Sequence, residues 1–179
     1  GCYWTGYRPV LPAQGHRMAA EIEPDKATQH WRAAAEADPL WATPWQQIAV
    51  IAHHEWRKNR QAESLEQFER AAARAVLLNP ESASFWNTLG NQYVEVFQAT
   101  SNKGHLEAAL AAYRRAAALY PNHAEHHGRL AIALDLAGER PEAEMAAKKA
   151  LELDDAMPHD DKKLPGELRN RLIRIGDGQ

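Results

Sequence analysis

The chain has a single cysteine, Cys2, among its 179 residues, so it cannot form an internal disulfide and its cysteine usage does not indicate a redox compartment. No apolar run approaches the roughly 20 residues that a membrane-crossing helix needs. Positive charge is not in excess either, with 21 lysines and arginines against 24 acidic residues and a formal net charge of -3. There is no basic stripe with interleaved aromatics, which disfavours a nucleic-acid partner. A Gly-x-Ser-x-Gly elbow and a phosphate loop are also missing, and local sequence places no base beside Cys2. These absences argue against an enzyme in this chain, and no cofactor is expected.

What the sequence does contain is a repeat. Pro39, Pro80 and Pro121 stand 41 residues apart, and Ala34, Ala75 and Ala116 each lie five positions upstream of one of them. At the same interval Trp45 is followed by Trp86, Ile48 by Leu89 and Ala49 by Gly90, and a third copy continues through His127, Leu130, Ala131 and Leu134. Apolar residues recur at three and four positions, as in Leu106, Leu110, Tyr113 and Ala117, which is a helical period and not the alternation of a strand. Proline cannot continue a helix and disfavours it in the residue before, so Asp38-Pro39, Asn79-Pro80 and Tyr120-Pro121 mark helix ends. Small residues at 49, 90 and 131 leave gaps that let a neighbouring helix approach closely.

Trp86-x-x-Leu89-Gly90-x-x-Tyr93, followed by Ala109, Tyr113, Ala116 and Pro121, resembles the tetratricopeptide repeat (TPR). The resemblance implies an all-α, TPR-type right-handed solenoid of antiparallel helix pairs. It would hold about three full repeats, one degraded N-terminal repeat and a C-terminal capping helix. The expected divisions are an N-terminal juxtamembrane or capping segment over 1–22, the solenoid over 23–155, and a loop with the capping helix over 156–179. The last copy keeps the spacing of the usual unit of about 34 residues through His127, Ala143 and Ala150, with Gly138 at its turn. The copy before it is seven residues longer between the matching positions, and its surplus falls at 98–105, where Ala-Thr-Ser-Asn-Lys-Gly reads as a turn. In the second copy the surplus falls at 57–64, a charged stretch compatible with longer helices. Of the first unit, Ala27, Trp31, Ala34 and Pro39 fit a second helix, while residues 12–22 fit a first helix poorly.

The two ends lie outside the repeats. Tyr3, Trp4, Tyr7 and Arg8 suit a membrane–water interface next to a preceding span, or a cover for the first repeat, while Gly1-Cys2 also suits a lipid-bearing cysteine. At the far end Leu164, Leu168, Leu172 and Ile175 share one helical face that covers the last repeat, with Arg169, Arg171 and Arg174 on a solvated face.

Nine histidines invite a search for metal. His123 and His127, four apart on a predicted helix, have a zinc-compatible spacing. His127, however, stands where Trp45 and Trp86 stand and reads as an interhelical packing residue, so no metal site is expected. Asp154-Asp155 and Asp160-Asp161 read as solvated carboxylates.

The resemblance also implies a concave groove lined by the first helix of each repeat. Its positions are Thr43, Gln46, Val50, His53 and His54 in the second repeat, Ser84, Asn87, Asn91, Val94 and Glu95 in the third, and Glu125, Gly128, Ile132, Asp135 and Leu136 in the last. Asn87 and Asn91 lie one turn apart, and each amide offers a donor and an acceptor to a peptide backbone. Carboxylate-clamping TPR domains use lysine and arginine where this chain has Gln46, Asn87 and Gly128, which disfavours that type of adaptor. Glu95, Glu125, Asp135 and Ile132 suggest an acidic and apolar wall suited to a basic or amphipathic protein or peptide partner.

The Tyr-Arg-Pro-Val-Leu entry, Pro44-Trp45, Tyr120-Pro121-Asn122 and the Pro-rich stretch 158–165 together look like the soluble tail of some bacterial O-antigen ligase or polymerase-like membrane proteins. That resemblance implies an accessory domain in the cell envelope, on the periplasmic side, attached through a segment N-terminal to this chain. The alternatives are a free-standing adaptor or lipoprotein of an envelope complex, or a cytoplasmic adaptor.

Overall fold

The computed structural model describes residue 16 and residues 26–178. The aromatic and basic entry segment, Cys2, and all of 12–22 except residue 16 therefore lie outside the described residues. From residue 27 onward the described chain is helical and contains no strand. The helices are α1 (Ala27–Ala37), α2 (Ala42–Asn59), α3 (Ala62–Leu78), α4 (Ala83–Thr100), α5 (Lys103–Leu119), α6 (Ala124–Ala137), α7 (Arg140–Asp155) and α8 (Gly166–Gly176). A 3-10 turn, Asp160–Lys162, precedes α8.

The repeated alanine and proline work as a pair at each helix end. Asp38, Asn79 and Tyr120 return their backbone N–H to the carbonyls of Ala34, Ala75 and Ala116 at 3.0, 3.0 and 3.1 Å. The proline that follows has no N–H to carry the helix further.

The seven-residue surplus does not form a loop at 98–105, as the turn-forming residues there suggest. The helix runs through Thr100, only Ser101 and Asn102 intervene, and α5 begins at Lys103. The last repeat has an equally short connection, Gly138 and Glu139. Four of the extra residues lengthen the first helix, 18 residues in α4 against 14 in α6. The other three precede Ala109 in α5. The first helix has gained about one turn of 3.6 residues, and the second begins nearly a turn earlier relative to its Ala109 position, so the buried faces keep their phase. The charged stretch at 57–64 behaves identically, with Arg60 and Gln61 alone between α2 and α3.

The connections close through left-handed residues. Arg60 (φ 57°), Ser101 (φ 55°) and Gly138 (φ 79°) occupy the same place after the first helix of each pair. Only the last is a glycine, the residue for which this conformation is free of strain. The Arg60 guanidinium lies 4.4 Å over the Trp56 ring.

The chain divides into two compact units, one ending at Pro80 and one beginning at Glu81. In the first, α2 and α3 form an antiparallel pair with α1 packed on α2. Trp31, Ile48, Trp56 and Phe68 fill this core, and Ala34, Ala49, Ala72 and Ala75 allow the close approach. In the second, α4–α5 and α6–α7 form successive pairs, α5 packs on α6, and α8 packs on both α7 and α6. Leu164, Leu168, Leu172 and Ile175 are buried there with Leu110, Tyr113 and Leu134.

Two expectations about charged residues at this end are overturned. Asp154 is buried and not solvated: its carboxylate accepts the Leu164 N–H at 2.6 Å and the Arg169 guanidinium at 2.5 Å. Arg169 accordingly leaves the solvated set, reaching Asp155 as well at 2.8 Å. Those two carboxylate bonds hold its pKa above the usual arginine value.

Candidate functional site

The predicted groove positions of the second unit gather in two clefts. The first, about 340 Å³, is walled by Asn91, Val94, Glu95 and Gln98 of α4, Tyr113 of α5, Arg129 and Ile132 of α6, and Arg171 of α8. The α4 residues follow at three- and four-residue spacing, so they form one stripe on the helix. Tyr113 is buried, and its hydroxyl donates to Asn91 Oδ1 at 2.7 Å. Burial, the largest influence on the phenol, pushes its pKa up, so it remains protonated. The Asn91 oxygen is therefore engaged, and its amide N–H groups are what it offers a ligand.

This wall is not acidic in the way Glu95 and Glu125 suggest. Arg129 pairs with Glu125 at 3.2 Å, and Arg171 brings a second cation from the capping helix. The cleft thus combines a carboxylate, two guanidiniums and the apolar side chains of Val94 and Ile132.

The second cleft, about 440 Å³, lies at the N-terminal ends of α4 and α6, where Ser84, Asn87 and Glu125 meet Tyr120, His123 and His126. Asn87 Oδ1 and His126 Nδ1 are both buried here without a hydrogen-bond partner in the protein. Burial, with a smaller contribution from His123, lowers the His126 pKa to about 4. The His123 ring stacks on it at 4.2 Å. His123 is the residue before the first turn of α6 and not a residue of the helix, so the four-residue spacing to His127 does not place both rings on one helical face. His127 is half-buried, with Nε2 2.8 Å from the Pro121 carbonyl. It closes the preceding loop, which differs from the interhelical packing expected of the position held by Trp45 and Trp86. No three potential metal ligands converge among the described residues.

The remaining groove positions lie elsewhere. Asp135 and Leu136 are half-buried and line neither cleft. Gly128 is buried, and a Cβ there would fall 3.0 Å from Leu172 Cδ1, so the capping helix covers this part of the last repeat. In the first unit Thr43 and Gln46 are half-buried while Val50 and His54 are exposed. His53 does not belong to an exposed groove: it is buried, with ring centroids 5.8 Å from Trp56 and 5.4 Å from Phe68.

Sequence reasoning missed Tyr113, Arg129, Arg171 and His126 as cleft residues. Tyr113 carried a signal, because a tyrosine at a core repeat position must find a partner for its hydroxyl. Arg171 carried none, since its place depends on how α8 docks.

No family model and no curated protein matches the chain. Similar solved structures do exist. A crystal structure of MamA is 19% identical with a TM-score of 0.62, covering 85% of this chain and 81% of that one. A thermophilic TPR protein of Thermus thermophilus is 21% identical with a TM-score of 0.57, covering 95% and 82%. The first TPR of Spaghetti (RPAP3), bound to an HSP90 peptide, is 15% identical with a TM-score of 0.50, covering 74% and 94%. The fold is that of TPR proteins. Among the described residues of this TPR-fold chain, no helix is long and apolar enough to cross a membrane.

Proposed function

We propose that this chain is a non-enzymatic TPR scaffold that binds an extended peptide or partner helix in the second unit. The observation that carries this reading is the cleft joining Asn91, Val94, Glu95 and Gln98 to Ile132, Arg129 and Arg171. Its lining is mainly polar and charged, with Val94 and Ile132 as the apolar contacts, so it suits a segment recognised chiefly through hydrogen bonds and charge. Asn91 presents its amide N–H donors, its oxygen being held by Tyr113, and these complement the C=O of a peptide unit. The peptide-bound state of the Spaghetti repeat, a similar fold, supports this use. With both charge signs in the cleft, the fitting partner carries an apolar anchor flanked by an acidic and a basic residue, a revision of the basic segment that the sequence suggests.

The wider setting proposed is the bacterial cell envelope, with this region as the accessory domain of an O-antigen ligase-like membrane protein. Support for it is the aromatic and basic entry segment and the proline-rich ending of the sequence. The test is crosslinking of the native full-length protein with a photoreactive residue at Gln98, followed by fractionation. Partner adducts that vanish with Asn91→Ala/Ile132→Glu support the cleft, and adducts unchanged by those substitutions refute it. Extraction only with detergent supports the membrane setting, and recovery without detergent favours a free-standing adaptor.

A further inference from the structure

A pocket in the first unit lies apart from the groove positions. Its volume is about 520 Å³, within the range of roughly 300–1,000 Å³ that small ligands occupy. Three helix faces converge on it: Arg32, Ala35 and Glu36 of α1, Trp45 and Ile48 of α2, and Gln67, Arg70, Ala71 and Arg74 of α3. On each helix these residues follow at spacings of three and four, so each contributes a single stripe.

The chemistry of the stripes is divided. Ala35, Ile48 and Ala71 are buried and make an apolar floor with the Trp45 ring. The rim carries three guanidiniums against one carboxylate, Glu36. Those guanidiniums are little used within the protein. Arg74 donates to the Pro39 carbonyl at 3.3 Å, which fixes its position while leaving other N–H groups available. Arg70 meets Glu66 at 3.5 Å, with both side chains about two-thirds exposed, a pairing of little energetic weight. Arg32 is exposed and has no ion pair among the described residues.

An apolar floor and a cationic rim describe one ligand chemistry. We infer that this pocket binds an anionic amphiphile, a monocarboxylate with an apolar body, held at its head by Arg32, Arg70 and Arg74 and laid along Trp45 and Ile48. Arginine favours carboxylate because its fork of donors matches the two oxygens. Glu36 at the rim disfavours a multiply charged anion, and the floor provides no compensation for burying a bare inorganic ion.

The test uses the full chain with three probes: decanoate, decanol and inorganic phosphate. Binding is followed by calorimetry and by the indole ¹H–¹⁵N resonance that Trp45→Phe removes. Decanoate is expected to bind saturably at one site and to shift the Trp45 resonance. Decanol and phosphate are each expected to bind at least about tenfold more weakly, for want of the charged hydrogen bonds or of the apolar contact. Arg32→Gln/Arg70→Gln alters two exposed side chains, so helicity should persist while decanoate affinity falls by about an order of magnitude and decanol affinity does not change. Equal binding of decanoate and decanol, phosphate as strong as decanoate, an unaffected double variant, or no saturable decanoate binding would each overturn the inference.

Discussion

Gly90 lies beneath the ring of Tyr113. A Cβ at position 90 would sit 2.6 and 2.7 Å from ring carbons Cδ1 and Cζ, while the hydroxyl of the same ring is tied to Asn91. The equivalent positions in the neighbouring repeats hold alanine twice over, Ala49 with Ala72 and Ala131 with Ala147. A large residue on the second helix is thus matched by the loss of a Cβ on the first. Gly90→Ala should gain about 1 kcal/mol of helix propensity but lose about 1–3 kcal/mol to overpacking, because the buried ring is anchored at its tip and cannot yield. Urea denaturation is expected to show net destabilisation of Gly90→Ala. It should also show clear non-additivity with Tyr113→Ala, the double variant being more stable than the summed singles predict.

The latch at Asp154 sets up a comparison between adjacent residues. Asp154 is 2% exposed at its side chain and Asp155 67% exposed, yet both touch Arg169. Asp154→Ala strands the Leu164 N–H and loosens the start of the capping segment, at an expected cost of about 1–3 kcal/mol. Asp155→Ala removes only a solvated contact, worth under about 1 kcal/mol. Limited proteolysis near residue 164 should report the first change and not the second; equal sensitivity of the two variants would dismiss the latch. Truncation before Leu164 is the extreme case. It uncovers the face that Leu168, Leu172 and Ile175 bury and should promote aggregation, visible by light scattering.

Ser101 adopts φ 55° with no glycine to relieve it, whereas Gly138 fills the same role in the shorter repeat. Ser101→Gly should therefore stabilise the second unit, by about 0.5–1 kcal/mol after the added chain entropy of glycine is subtracted. A rise in thermal midpoint with an unchanged denaturant slope would confirm it. A fall would mean that the Ser101 side chain holds a contact worth more than the backbone strain.

The helices, their ends and their buried stripe could be read from the sequence because each rests on local chemistry repeated three times. Ala34, Ala75 and Ala116 with their prolines needed no tertiary information. The lengths of α4 and α5 could not be read the same way. Thr100, Ser101 and Asn102 are turn formers wherever they stand, and only packing decided that two of them suffice. The groove was partly legible for a similar reason. Asn91 and Ile132 follow from helical phase, but the engagement of Asn91 by Tyr113 and the arrival of Arg171 depend on neighbouring helices. His53 misled because a polar residue at a groove position looks exposed until Phe68, on the partner helix, is seen to cover it.

His126 makes stability depend on pH. Its folded pKa of about 4 lies below the ordinary value of 6.5, so between those values the unfolded chain binds a proton that the folded chain refuses. Stability from this residue is fully present above about pH 6.5, falls as the pH drops through that window, and levels off once the folded form is protonated near pH 4. The ring faces His123, Tyr120, Glu125 and His127. Repulsion from His123 adds to the penalty, and attraction to Glu125 opposes it. The loss is expected to be about 1–2 kcal/mol after allowance for solvent at the cleft mouth. His126→Phe keeps a ring to stack on His123 but cannot take a proton. Urea midpoints measured from pH 7.5 to pH 4.5 should fall more steeply for the parent chain than for His126→Phe. Parallel curves would place the pH dependence on the carboxylates instead.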